Sequence, residues 1–258
     1  MQNKALKWLA GGIVGFGLVA GSAYANDDDI AESAALPRNT LTVRMDKLKH
    51  SFDFVDGLQG WETGFADYPN GEESFYQLTA MHARLPAPHN NKFGIYLSGN
   101  NHSDDLFMYA RRPLGGLHPL TYYNVTIDVN LLANVATGCY GIGGAPGEAV
   151  AVKVGATSFA PADAVYLDGW IRFLADKGNQ MNSGANAVVV GNLAGAGKCT
   201  ATNPFSMRVL NNRAKPIKVR TDQYGALTIF VGTDSGFEGT SSYYISKVRV
   251  TARKALDQ

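Results

Sequence analysis

The sequence predicts an all-β sandwich, on three observations. Short apolar alternations recur along the chain, and none has the length or period of an amphipathic helix. Turn residues between them are dense, with 29 Gly and 10 Pro in 258 residues. No repeat of fixed period divides the chain, so a propeller or solenoid is not indicated. Runs of short strands with Gly- and Pro-rich turns bury their apolar faces by packing one sheet on another.

The strands can be placed in order. Residues 75–81, 93–97, 106–109 and 123–129 read as strands in the first half, each bounded by Gly, Pro, Asn or Asp. In the second half the strands are 149–154, 187–190, 205–210, 217–220, 227–231 and 243–250. Pro161 and the four residues after it read equally as the start of a short helix or as a loop turn. The stretch 138–216 is richer in Gly, Ala and Asn and reads as an elaborated part of one sandwich domain, residues 49–252, with a tail at 253–258. One domain is the economical count, because all-β sandwiches run past 200 residues without dividing.

The N-terminus predicts a compartment. Lys4 and Lys7 precede a short Gly-rich apolar stretch, and Ala23-Tyr24-Ala25 is a small-x-small cleavage signal. The apolar stretch falls short of the roughly 20 residues of a membrane span. The expectation is a removable signal, 1–25, and a secreted or periplasmic product with no membrane span. Cleavage removes two lysines and no acids, so the formal charge moves from +1 to −1. A near-neutral chain has no electrostatic reason to bind nucleic acid. Residues 26–48 follow as a flexible acidic leader containing Asp27, Asp28, Asp29 and Glu32. The two cysteines, Cys139 and Cys199, are expected to pair in an oxidising compartment.

Three segments carry a resemblance. Phe52-Asp53-Phe54 with Asp56-Gly57 and Gly60-Trp61, the turn Gly116-Leu117-His118-Pro119-Leu120-Thr121-Tyr122, and the closing stretch 243–250 resemble the jelly-roll carbohydrate-binding modules, the galactose-binding-like sandwiches. Over the whole chain the pattern also resembles a group of uncharacterised secreted bacterial proteins. The first resemblance implies a jelly-roll sandwich and a glycan or other extracellular polymer as partner. It also implies a structural calcium, but the family's acidic position in the last strand is Ser246 here, followed by Lys247, and Asp53 alone does not make the six to eight oxygens calcium takes. No other cofactor is expected.

Two polar clusters stand at strand ends, where sandwiches place binding residues. Asn100, Asn101, His102, Ser103, Asp104 and Asp105 offer amides, an imidazole and carboxylates that can hydrogen-bond sugar hydroxyls, or else simply close a turn. The second cluster, 232–239, reads as a polar loop with Asp234 and Glu238, or as a Gly-rich hairpin connection. Sugar recognition also wants an aromatic platform. Trp61 reads as core, whereas Trp170 and then Tyr68, each beside Gly, Asp or Pro, are the candidate platforms.

Other chemistry is excluded by its details. A phosphate loop at Gly197-Lys198 lacks its first glycine and has Cys199 in place of Ser or Thr. The glycines at 141–147 lack a strand-to-helix setting for a dinucleotide. Asp234-Ser235-Gly236 has no matching histidine stretch for a serine protease, and the five histidines show no ligand spacing. Three function classes remain: a non-catalytic glycan- or polymer-binding module, a glycan hydrolase or lyase using Asp104 or Asp105 with Asp234 or Glu238 and His102 as helper, and a structural protein without a small ligand.

Overall fold

The computed structural model describes residues 44–256 other than 201, so the expected signal sequence and the leader up to residue 43 lie outside the described residues. The described residues form strands and no helix. In order these are β1 (Lys47–Phe52), β2 (Glu62–Ala66), β3 (Tyr68–Pro69), β4 (Thr79–Arg84), β5 (Phe93–Asn100), β6 (Leu106–Leu114), β7 (Tyr122–Ala133), β8 (Ala136–Thr137) and β9 (Val150–Thr157). They continue as β10 (Asp163–Val165), β11 (Trp170–Phe173), β12 (Ala187–Asn192), β13 (Gly195–Lys198), β14 (Ser206–Asn211), β15 (Ile217–Arg220), β16 (Leu227–Ser235) and β17 (Thr240–Lys254). No described helix is long and apolar enough to cross a membrane.

Two large sheets make the expected sandwich. One has seven strands in the order β14-β7-β17-β5-β4, with β1 added along β17 and β15 along β7. The other has five, β12-β9-β16-β6-β2. Alternation decides what enters the space between them. On β7, Tyr123, Val125, Ile127 and Val129 point inward while Asn124, Thr126, Asp128 and Asn130 remain on the outer face. β17 does the same with Ile245, Val248, Val250 and Ala252, a bulge between Ile245 and Lys247 resetting its phase. Met108, Val152, Val154, Ile229 and Val231 of the five-stranded sheet fill the cluster from the other side. Burying each such side chain stabilises by about 1.5–3 kcal/mol. Trp61 is in this core, edge-on to Phe52 at 5.5 Å between centroids.

The five-stranded sheet is covered on its outer face as well. Every residue of β9 and β16 is buried, because the segment after β9 turns back across them. It carries β10 and β11, which pair with β3 in a small sheet. Phe173 at the end of β11 packs on Phe107, Tyr109 and Phe230 with centroids 4.6–5.0 Å apart. Gly155 faces Phe230 in the ladder, and the ring lies over its backbone where a Cβ would collide. The close approach therefore requires glycine there.

Several element expectations are corrected. Residues 75–81 are not one strand: the chain turns from Glu72 to Gln77, with Tyr76 N donating to Glu72 O at 2.9 Å, and β4 begins at Thr79. The turn lets Tyr76 and Leu78 both pack on the core. Pro161 opens neither a helix nor a bare loop but the short strand β10. The polar stretch 232–239 is a loop only from Gly236, since β16 runs to Ser235 with ladder partners on both sides. The region 138–216 supplies the strands expected within it, β9 and β12 in one large sheet and β14 in the other. Cys139 and Cys199 form the expected disulfide, beside the parallel pair β8 and β13.

Candidate binding site

The covering segment and the sheet beneath it enclose a charged cluster. Lys153, at the middle of β9, is wholly buried and its ammonium lies 2.7 Å from Asp234 Oδ2 on the neighbouring β16. Lys177, from the loop after β11, reaches down to the same oxygen at 2.8 Å. Its ammonium also lies 3.0 Å from Asp67 Oδ2 and 3.8 Å from Asp105 Oδ1. Lys153 Nζ donates back to the Lys177 carbonyl at 2.9 Å, so the sheet grips the covering loop through both its side chain and its backbone. The Lys177 ammonium sits 5.1 Å from the centre of the Phe107 ring.

Local structure aims these groups. Asp67 stands between β2 and β3 with φ 65°, a conformation Asp tolerates better than most residues, and its N–H donates to Ile171 O at 2.7 Å. Asp176 closes the Lys177 loop: its carboxylate accepts from the N–H groups of Gly178 and Ala185 at 3.0 and 2.8 Å. Those bonds hold the Asp176 carboxyl below the usual carboxylate range. With Asp176 tied outward, Lys177 is turned in.

Electrostatics follow from burial and sharing. Burial pushes the Lys153 ammonium down, with Asp234 opposing. For Lys177 burial acts the same way, but Asp234, Asp67 and Asp105 together outweigh it and hold the ammonium above its ordinary value. Asp105 is pushed up to about 7, by burial first, against the pull of Lys177 and with the charges of Asp234 and Asp67 adding to the rise. The Oδ1 atoms of Asp105 and Asp234 are both buried without a hydrogen-bond partner. Nearby, Tyr109 donates to Asp163 Oδ1 at 2.8 Å, and burial raises Asp163 to about 6.

A shallow cleft of about 420 Å³ opens over the cluster. Asp67, Asp105 and Lys177 form its floor, and Tyr166, Arg172, Asp176 and Asn179 are at its rim. Arg172 bridges two features: its guanidinium lies over the Trp170 ring at 4.8 Å and reaches Asp67 Oδ1 at 3.5 Å. Tyr166 is about half exposed at the tip of the β10–β11 hairpin. Two larger hollows lie beside β15 and at the end of β17; the first is lined by Leu120, Tyr122 and Leu256 with Lys218 and Lys254, the second by Asp46, Lys47, Arg253 and Lys254.

The residues expected from sequence are distributed unevenly about this cleft. Asp105 lines it, and Trp170 adjoins it through Arg172. Asp234 lies beneath it, fully buried and committed to two lysines. The two polar loops do meet, but to hold each other: Asn101 is buried, with Nδ2 donating to the carbonyls of Ser235 and Phe237 at 2.8 and 2.9 Å. Asn100 ends β5 opposite Thr240, and Asp104 is exposed with its carbonyl accepting from Gln180. His102 stacks on Phe75 at 4.2 Å, away from the cleft lining. Glu238 is exposed and bonded through its N–H to Ile142 O. Tyr68, expected at the surface, is buried against Tyr76 because β3 pairs with β11 above it. Asp53 accepts from Val55 and Gln59 within its own turn, and the Ser246 hydroxyl donates to Asn130 O.

Sequence reasoning missed Lys153, Lys177, Asp67 and Arg172. A signal existed for the first: a single lysine inside the apolar run Val150–Thr157 cannot be buried without a partner. Among the described residues no group of three His, Cys, Asp or Glu is arranged to hold a metal ion. Between Asp67, Asp105 and Asp234 the place a cation would take is filled by the Lys177 ammonium.

No protein-family model matches the chain, and no curated protein matches it. Among solved structures it is similar to carbohydrate-binding modules of the β-sandwich superfamily, at 12% identity and a TM-score of 0.36, over 76% of this chain and 58% of that one. The chain thus spans less than two thirds of that protein. It is also similar to the CBM27-1 module of Caldicellulosiruptor saccharolyticus solved with mannohexaose, at 13% identity and TM-score 0.39, over 78% of this chain and 96% of the module. A third likeness, to a carbohydrate-binding module dissected for mannan recognition, has 13% identity and TM-score 0.39 over 81% and 99% of the two chains.

Proposed function

We propose that this protein is a secreted or periplasmic glycan-binding module whose sugar site is the cleft over Lys177. The observation that carries the reading is the convergence of Arg172, Lys177, Asp67, Asp105 and Asp176 around one shallow opening. Sugar hydroxyls donate and accept, and hydrogen bonds to charged groups contribute about 1.5–3 kcal/mol each. Two cations face three carboxyl groups there, one of them Asp105 with its pKa pushed up to about 7, so the net charge is small, which suits a neutral polyol better than a strongly charged ligand. Tyr166, about half exposed, offers a flat surface at the rim, and Trp170 lies beside it under the Arg172 guanidinium. The disulfide supports an oxidising compartment.

Catalysis is the second reading, and Asp105 is the observation that favours it. A carboxyl pushed up to about 7, by burial first and by neighbouring carboxyl groups, has the character of a general acid. Asp67 and Asp105 both lie on the Lys177 ammonium, so these two oxygens are no more than about 7 Å apart, an upper bound that admits the spacing of a retaining glycosidase pair. Asp67 is buried and held by two cations, however, which leaves it poorly placed to meet a sugar. Binding therefore remains the better account.

The test is affinity electrophoresis of the protein against soluble neutral polysaccharides, mannan among them, with reducing and unsaturated ends assayed in the same samples. We expect retention without release, weakened about tenfold or more by Arg172→Ala. Release of ends moves the reading to catalysis by Asp105. No retention by folded protein, or retention indifferent to Arg172→Ala, overturns the cleft as a glycan site.

A further inference from the structure

Among the described residues no segment covers the outer face of the seven-stranded sheet as one covers the five-stranded sheet, and the charge of that face is one-sided. Asp128 is the single carboxylate in all seven strands. On the outward positions of β1, β15 and β17 stand Lys47, Lys49, Lys218, Arg220, Arg249 and Arg253. Asp128 is already engaged by Arg213 at 2.8 Å and approached by Arg249 at 3.9 Å. At the end of the sheet Asp46 meets His118 and Lys254. Lys47, Lys49, Lys218 and Arg253 have no anionic partner among the described residues.

Register aligns these cations. Lys218 is opposite Asn124, Asn124 opposite Arg253, and Arg253 opposite Lys47, so one straight row crosses β15, β7, β17 and β1. With strands about 4.8 Å apart the row spans roughly 14 Å. The adjoining rows are Thr126, Thr251, Lys49 and then Asp128, Arg249, Ser51. Directly opposed like charges on a ladder are destabilising. Here Arg253, and then Lys49, depress the Lys47 ammonium. An anionic ligand would relieve this repulsion.

We infer that this face is a second binding surface, for an acidic polysaccharide laid across the strands along the Lys47, Arg253 and Lys218 row. Between the cations stand Asn124, Thr126, Thr251 and Ser51, whose amide and hydroxyls match sugar hydroxyls. Exposed apolar side chains gather only at one end of the row, where the Lys218 ammonium lies over the Tyr122 ring near Leu120 and Leu256, and the oxidising compartment that the disulfide indicates disfavours nucleic acid. The inference is independent of the cleft.

The test is binding of the full chain to polygalacturonate over a range of salt, with the triple variant Lys47→Gln, Arg253→Gln, Lys218→Gln beside it. The native chain should bind at low salt and be released as salt rises. The triple variant should lose at least tenfold in affinity, whereas Arg172→Ala should leave this binding unchanged. These positions are exposed, and thermal unfolding checks that the variant folds; the single change Lys218→Glu, expected to weaken binding severalfold, serves if it does not. Unchanged affinity in folded variants overturns the inference. So does tighter binding of duplex DNA or of phosphatidylserine vesicles than of polygalacturonate under the same conditions.

Discussion

Asp234 is the residue on which the buried cluster depends. Two ammonium groups share its Oδ2, and Lys153 is fully buried with no other carboxylate in contact. Removing one partner of a buried ion pair leaves the other charge uncompensated, which costs about 3–5 kcal/mol. Asp234→Asn should lower the urea-unfolding free energy by that amount, and adding Lys153→Met should restore much of it. If the single change costs under 1 kcal/mol, the cluster is not the anchor described here. Asp105 carries a pH signature of its own. Its folded pKa, about 7, lies above the ordinary carboxylate value, so between pH 4 and 7 the folded state binds the extra proton. Stability from this group is therefore present at low pH and falls as pH rises through that window. Unfolding free energies across the window should decline in the native chain relative to Asp105→Asn; parallel curves would refute the assignment.

Among the elements, β9 and β16 show what a sequence pattern leaves open. Their sequences, Val150–Thr157 and Leu227–Ser235, are nearly continuous apolar runs, as expected of strands covered on both faces. The sequence pattern located them but could not show what lay on the second face. The covering segment is mostly loop, held by Asp176 and by Lys177 more than by periodicity, and loops of that kind leave no repeat to read. Cysteine pairing was legible from compartment logic alone. The bridge joins residues 60 apart beside the two-residue pairing of β8 and β13. In the chain-entropy account a loop of that size contributes about 4 kcal/mol. Replacing both cysteines by serine should cost a comparable amount in chemical denaturation, and a loss under 1 kcal/mol would show that the surrounding strands suffice without it.

Seen whole, the molecule presents two unlike faces. One large sheet is covered, and where the cover parts it leaves a polar cleft over paired charges. Among the described residues the opposite sheet carries exposed basic side chains on its outer face. The amino-acid sequence by itself determined the all-β class, most strand positions, the core role of Trp61 and the disulfide, because alternation, turn residues and cysteine count are local properties. Tertiary structure alone decided which polar residues meet. Asp67, Asp105, Lys153, Lys177 and Asp234 come from five separate segments, and Lys47, Arg253 and Lys218 from three strands far apart in the chain. Asn101 and Tyr68 show the converse: suitable chemistry in the right kind of loop became structural once β16 and β11 packed over it. Charge pairing and ladder register act across long sequence separations, and nothing in the spacing of residues along one segment encodes them.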